Sequence, residues 1–252
     1  MISTMANKIF KKIAILLLWV AVWQICSMLV AQELLIPSPL STLKALFNLA
    51  QTKQFYLSVF TSLARICLGF GLGVVTGFLC GVLSAKSNIF KEFTSPIVRL
   101  TKAVPVASFI ILAFFWFESN YLPIFIAFLM VLPIIWSSTE TALLNIDEKY
   151  IEMGKIFSLS SANIFFKIKL PLIFPTFISS ALTALGFAWK SGIAAEVISK
   201  PAFSIGDMLE RSKTHLEISE VFALTAVVAL LSLLLEVVLK KAFRRYNYVK
   251  DR

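Results

Sequence analysis

The sequence predicts an all-α, polytopic membrane protein with six transmembrane helices, and three observations carry that prediction. Of its 252 residues, 58% are hydrophobic and 15% charged, where a soluble domain is about half apolar and about a quarter charged. The mean hydropathy is +0.85, and the apolar residues gather into long runs that approach the ~20 residues needed to cross ~30 Å of hydrocarbon. Finally, the net charge of +10 is concentrated at the ends of those runs. Lys8, Lys11 and Lys12 precede the first, and Lys240, Lys241, Arg244, Arg245, Lys250 and Arg252 follow the last. Lysine and arginine favour the cytoplasmic side, so both termini are expected inside and the number of spans even. The whole chain, 1–252, reads as one transmembrane domain.

The first span covers 13–30 and carries Trp19 and Trp23, residues suited to an interface. Its basic start and apolar run also fit a signal peptide. Only Leu29-Val30-Ala31 offers a cleavage site, so an uncleaved span is expected. Ala31–Leu57 holds Pro37-Ser38-Pro39 and little charge and is assigned outside, with Ser41–Leu49 as a short amphipathic surface helix. In the second span, 60–84, Gly69, Gly73, Gly77 and Gly81 form one stripe at four-residue spacing, a surface against which another membrane helix can pack closely. The basic stretch Lys86–Lys102 is assigned inside. The third span, 104–117, is only about 21 Å long at 1.5 Å per residue and needs Arg99 and Lys102 to snorkel. Glu118-Ser119-Asn120 turns the chain outside, and 121–136 is the fourth span. The fifth is 172–193, followed by an outer stretch, Ala195–Ser219. The sixth is 221–239, where Glu236 and Lys240 stand four apart and can pair.

Between spans four and five lies the longest polar stretch. Within 143–171, Leu143-Leu144, Ile146, Tyr150-Ile151 and Ile156-Phe157 recur near helical spacing. Ile164-Phe165-Phe166, Ile168 and Leu170 form a second apolar cluster edged by Lys167 and Lys169, and Ser158–Ala162 is a break of small residues. This predicts two short helices around a turn on the inner membrane surface, with Pro171 opening the next span. The residues alone fit equally an amphipathic interfacial hairpin with no partner.

Tyr150–Pro171 also resembles the cytoplasmic coupling loop of permeases from binding-protein-dependent ABC importers. Glu152 stands at the motif's glutamate, Ser158 where its glycine falls six residues on, and Ile168-Lys169-Leu170-Pro171 closes it. Met153 and Gly154 replace the motif's two alanines. From Ile36 to about Arg245 the chain looks like the nitrate/sulfonate/taurine branch, through Leu35–Pro39, Arg65–Phe70, Ala184–Lys190, Ala194–Ile198 and Ser204-Ile205-Gly206. The resemblance implies a type I importer, MetI-like permease fold in a bacterial inner membrane and a homodimer of this chain. It implies two copies of a cytoplasmic ABC ATPase, which hold the ATP and magnesium, and an external or periplasmic solute-binding protein. It implies import of a small anion and an ATPase-coupling role for Glu152, Gly154, Ser158, Phe165, Lys167, Leu170 and Pro171. No cofactor is expected on this chain.

Lys190 lies within span five, where a charge is costly and usually functional. A cation there suits an anionic solute, and Trp189, Ser191 and Glu196 share the neighbourhood as candidates for the path. Pairing of Lys190 with Glu196 is the plainer alternative. Arg65 is read as an interfacial anchor, and Cys26, Cys67 and Cys80, all in apolar runs, as small buried residues. No catalytic cluster is expected: there is no phosphate-binding Gly-x-x-x-x-Gly-Lys loop and no His-Glu-x-x-His zinc motif, His215 being the single histidine. The basic tails are read as topology and lipid contact rather than nucleic-acid binding. An ion-coupled secondary transporter is the alternative. It would want acids within spans and an internal repeat, and only Glu236 is an acid clearly within a predicted span.

Overall fold

The computed structural model describes residues 2–250. The side chains of Lys8, Lys12, Lys102, Arg244, Arg245 and Lys250, and Arg252 altogether, lie outside the described residues, so their predicted anchoring roles do too. Every regular element among the described residues is helical: α1 Ile2–Val30, α2 Pro39–Ala50, α3 Lys53–Lys86, α4 Asn88–Ala103, α5 Val106–Ala113, α6 Leu122–Leu144, α7 Glu148–Ile156, α8 Ser161–Ile164, a π-helical turn Phe165–Lys169, α9 Leu170–Ser199, α10 Ile205–Thr214 and α11 Ile218–Lys250. Four helices among the described residues are long and apolar enough to cross a membrane: Lys53–Lys86, Leu122–Leu144, Ser161–Ser199 and Ile218–Phe243. The end of the bundle that carries α7 is called the lower end below.

The core is a packed sheaf of α3, α6 and α9. Its tightest seam is α3 on α6, and the glycine stripe makes it possible. A Cβ on Gly69 would sit 2.3 Å from the Ile124 carbonyl oxygen, on Gly73 2.7 Å from Val131 Cβ, and on Gly81 2.7 Å from Thr139 Cβ. With no side chain on these positions the backbones approach closely and recover dispersion contact that the bilayer itself does not drive. Trp136 Nε1 donates to Ser84 Oγ at 2.7 Å across the same seam. The other face of α6 meets α9 through Ala181, Ala184 and Ala188, small residues again. Trp189 of α9 donates to the Val228 carbonyl at 3.0 Å, which ties α11 to the sheaf. At the upper end α2, the start of α3, α10 and α11 share a second apolar cluster that includes Leu49, Phe55, Met208, Leu224 and Val227.

Local signals set most boundaries. Ser38 caps α2 by accepting from Ser41 N–H, with Pro39 at the first helical position; the expected surface helix is thus present and slightly longer. Thr52 caps α3, so the second span begins seven residues before its predicted start. α1 is held near its upper end, where Trp23 stacks on Phe222 at 5.9 Å and donates to the Pro37 carbonyl at 3.1 Å. Its apolar part is the shorter Leu17–Val30.

The third predicted span differs most. Its helix is only Val106–Ala113, about 12 Å at 1.5 Å per residue, and it meets the amphipathic α4 at a bend of 99°. Pro105 is the cause. It has no N–H to continue α4 and pushes Val104 into an extended conformation, φ −82°, ψ 133°. The fourth span continues to Leu144, so part of the expected polar loop is the last two turns of α6. There Glu140 pairs with Lys91 at 2.8 Å. Cys26 and Cys67 are exposed on outward faces and Cys80 is half-buried. The reading of all three as buried is corrected for the first two, which sit on surfaces a bilayer covers.

Candidate functional site

The predicted docking segment folds as a hairpin. Asp147 caps α7 by accepting from Lys149 N–H at 3.0 Å. At the far end two reversed hydrogen bonds close the helix, Ser158 N–H to Lys155 O at 2.9 Å and Leu159 N–H to Gly154 O at 3.0 Å. That closure requires a left-handed residue between them, normally glycine; here Ser158 takes it, with φ 52°. Ser160 then caps α8 by accepting from Asn163 N–H. Gly154 is buried in the crook of the hairpin. A Cβ there would lie 2.9 Å from Ile168 Cδ1 and 3.1 Å from Ile164 Cγ1, so the lack of a side chain lets α7 lie down on the α8–π segment.

The second arm is not the separate short helix that was expected. α8, the π turn and α9 form one unbroken helix, Ser161–Ser199, and Pro171 lies inside it. The π turn is the physical reason. Proline lacks an N–H and crowds the carbonyl four residues back. A wider turn over Phe165–Lys169, closed by Leu170 N–H to Phe165 O, absorbs that residue without breaking the rod. Lys86 at the foot of α3 holds its ammonium 5.6 Å over the Phe165 ring, which fixes the hairpin against the bundle. Glu152 and Lys167 are exposed, while Leu170 and Pro171 line an apolar groove beside α9. Three residues that the sequence reading placed in the apolar clusters but not among the coupling residues stand out: Ile156, Phe157 and Phe166 are 80%, 72% and 64% exposed. An apolar surface on a polar hairpin marks an interaction site.

Above the hairpin, α6 and α9 part to form a vestibule of about 910 Å³. Hydroxyls and an amide punctuate a lining that also holds Ile134, Ile146, Leu172 and Ile173: Ser138, Thr141 and Asn145 on α6 and its end, Thr176, Ser179, Ser180 and Thr183 on α9, with Asp147 and Tyr150 also lining it. Ser138 and Ser180 are hydrogen-bonded across the two helices. The sequence signal was present, since these residues recur at three- and four-residue steps on each helix, but only the pairing of α6 with α9 joins them. Higher up, Lys190 is exposed in a smaller hollow of about 300 Å³ shared with Thr183, Gly186, Phe187 and Glu236. Thr183 belongs to both hollows, so Lys190 and the hydroxyls lie on one open face of α9.

Trp189, Ser191 and Glu196, the other three candidates for the path, turn to the packed side of that helix. Trp189 and Ser191 are buried, and Ser191 hydrogen-bonds to the Phe187 carbonyl of its own helix. Glu196 is 0% exposed and does not meet Lys190. Its Oε2 accepts from Ser62 Oγ at 2.7 Å and from Gly206 N–H at 3.2 Å, and Arg65 Nη1 lies 3.9 Å from its Oε1. Ser62 Oγ in turn accepts from Ile205 N–H at 2.9 Å. Arg65 is therefore a clamp rather than an interfacial anchor: its Nη2 donates to Asn120 Oδ1 and the Ala202 carbonyl at 2.9 and 3.0 Å. Together these groups pin α10 and the loop before it to α3 and α9. Beyond the span, hydrogen bonding from Lys213, backed by Lys200, holds the Glu210 carboxyl of α10 below the usual carboxylate range. Among the described residues no group of histidine, cysteine, aspartate or glutamate could hold a metal ion.

Known proteins share both fold and sequence with this chain. Over 186 residues it is 27% identical to the bicarbonate transport system permease protein of Synechocystis sp. (strain PCC 6803), covering 73% of this chain and 66% of the relative. It is 25% identical over 229 residues to the taurine transport system permease protein of Escherichia coli K12, covering 88% and 83%. A chain of the inward-facing MetNI methionine ABC transporter superposes with a TM-score of 0.61 at 18% identity, over 75% of this chain and 94% of that one, so the fold is MetI-like. The family described as binding-protein-dependent transport system inner membrane component matches residues 73–247, more than half of the sequence, and the chain belongs to that family.

Proposed function

We propose that this chain is the translocation subunit of an ATP-driven importer for a small oxyanion, and that the α7–π hairpin is its dock for a separate cytoplasmic ATPase. The observation that carries the reading is the hairpin itself. A buried Gly154 and a left-handed Ser158 give it a fixed shape, and it presents Glu152, Ile156, Phe157 and Phe166 outward at the foot of a membrane bundle. ATP is bound and hydrolysed on the partner, and this chain supplies no catalytic group. Two copies of the chain enclose the path, the lower end faces the cytoplasm together with both termini, and a solute-binding protein delivers cargo at the upper end. The open face of α9 supports an anionic solute: hydroxyls that can donate hydrogen bonds, and Lys190 as the cation. Names of relatives that point to bicarbonate and taurine transport are in keeping with this chemistry. Glu196, the buried acid of the span, has Oε2 held by Ser62 and Gly206 with Arg65 beside Oε1, in the packed junction of α3, α9 and α10 and away from the open face.

The test is co-purification. The wild-type chain should retain a soluble ATPase subunit in mild detergent, and Glu152→Lys or Phe157→Asp should release it while the permease stays folded. A cysteine placed at Ser160 should react with a membrane-impermeant label only in inverted vesicles. Labelling from outside intact cells would overturn the reading.

A further inference from the structure

Glu236 stands half-exposed on α11, within the span, and pairs with Lys240 one turn below it. The same residue lines the hollow of about 300 Å³ that holds Lys190, together with Leu182, Thr183, Gly186 and Phe187. Among the described residues Lys190 and Glu236 are thus the only charged side chains of that hollow. Two contacts fix their relative height. Trp189 donates to the Val228 carbonyl and Phe174 meets Phe243, so α9 and α11 run antiparallel and Glu236 lies level with Ala181. Its Cα is about 13 Å below that of Lys190 along the bundle. Helical side chains lean towards the N-terminus of their own helix. For α9 that terminus is at the lower end and for α11 at the upper end. Lys190 therefore leans down into the hollow and Glu236 leans up into it, each towards the other.

Lys190 lacks the partner its depth calls for. It stands nine residues short of the end of α9 at Ser199, about 13 Å from it, and its lean takes it away from that end. Among the described residues no carboxylate is within ion-pair distance of it. An ammonium at such a depth is costly unless it is paired, and the one carboxylate that shares its hollow is held by Lys240. Lys240 is the less demanding of the two cations: its side chain is 56% exposed near the lower end, where headgroups and water can take it over. We propose that Glu236 is a mobile counter-ion that exchanges between Lys240 and Lys190 and so gates the charge of the path. With Glu236 on Lys240, as in this structure, the Lys190 ammonium is open to an anion. With Glu236 on Lys190 the hollow carries no net charge and an anion is excluded. Solute and Glu236 compete for one ammonium, so the carboxylate also displaces the solute after delivery, a positioning role exerted through Lys190. The significance for transport rests on the reading of Lys190 as the cation of the path; the exchange itself does not.

Reductive methylation of the purified, solute-free protein, read lysine by lysine by peptide mass spectrometry, tests this. The rate at Lys190 is taken relative to Lys53, an exposed lysine at the start of α3. A carboxylate beside an amine favours its charged, unreactive form. Lys240→Ala removes the competing partner, should send Glu236 to Lys190, and should slow methylation of Lys190 by about threefold or more. Adding Glu236→Gln to that variant should restore the rate to at least the wild-type value. Glu236→Asp in the same background keeps the charge and should keep part of the slowing. Glu236 and Lys240 are both half-exposed, so these substitutions leave the fold in place. A carboxylate that merely supported α11 would not make the effect of Lys240→Ala depend on Glu236. An unchanged rate at Lys190 in Lys240→Ala, or the same slowing in Lys240→Ala/Glu236→Gln, overturns the proposal. Uptake is a separate readout. If Lys190→Ala abolishes uptake while methylation shows no exchange, the counter-ion role falls and the path reading stands; if methylation shows the exchange while Lys190→Ala transports normally, the path reading falls and with it the role in transport.

Discussion

Ser158 shows how much one backbone angle decides. Among the described residues it is one of five non-glycine residues with positive φ, the others being Ala31, Lys200, Phe203 and Leu216, and it holds the position where two reversed hydrogen bonds end α7. A left-handed conformation costs a side-chain-bearing residue roughly 1 kcal/mol. Ser158→Gly should therefore raise stability by up to about 1 kcal/mol and keep the ATPase bound. Ser158→Val, β-branched and ill suited to φ 52°, should lower stability by about 1–3 kcal/mol and weaken docking with it. Thermal unfolding in detergent, run beside a pull-down of the ATPase subunit, checks both; a stabilised Val variant would contradict this account of the turn. Gly154 is a different case. Its contacts are the flexible ends of Ile164 and Ile168, so the alanine that the related motif carries there needs only a small shift of those ends.

At the scale of elements, the seam between α3 and α6 makes a sharp prediction because it contains its own control. Gly73→Ala drives a methyl to 2.7 Å from Val131 Cβ, while Gly71, one turn-fraction away and exposed, has nothing within 4 Å of a new Cβ. Gly73→Ala should cost about 1–3 kcal/mol of overpacking, and Gly71→Ala should be neutral or slightly stabilising through helix propensity. Equal unfolding temperatures for the two variants would mean that the stripe does not set the helix separation. This seam was legible in the sequence because a four-residue repeat of one residue type is a one-dimensional signal. So was the turn of the hairpin between α7 and α8, whose break of small residues, Ser158–Ala162, is local. What escaped were properties of pairs of elements. Pro171 reads as a helix start, and only the π turn, which leaves no composition mark, lets the helix run through it. The 99° break at Pro105 replaces a straight third span, because a proline and its predecessor outweigh a hydropathy that continues across them. The clamp joins Arg65 to Glu196 across 131 positions, and Ser138 reaches Ser180 across 42; neither pairing has a periodicity to betray it. Pairing of Lys190 with Glu196 was the plainer alternative, yet six residues at 100° each leave the two about 120° apart around α9, one on the open face and one in the packed junction.

The whole molecule is organised around α9. One side of it is packed on α3 and α6, and the other is open and carries hydroxyls with a single lysine. If that open side faces the solute, charge and packing can be separated by experiment. Lys190→Ala should abolish or strongly reduce uptake of an anionic solute in reconstituted vesicles while leaving the unfolding temperature and ATPase assembly unchanged, since an exposed side chain contributes little to the fold. Lys190→Arg, which keeps the cation, should retain part of the uptake. Unchanged transport in the Ala variant would remove Lys190 from the path.

The unbroken helix from Ser161 to Ser199 has a mechanical consequence. Its 39 residues measure about 58 Å at 1.5 Å per residue, longer than the bilayer is thick, with the hairpin at one tip and the Glu196 clamp at the other. A continuous helix of that length, tilting as one piece, acts like a see-saw: a tilt of about 5° displaces each tip by a few ångströms. Events on the two faces of the membrane can thus be geared to each other through one piece of chain, with no relay of intermediate parts.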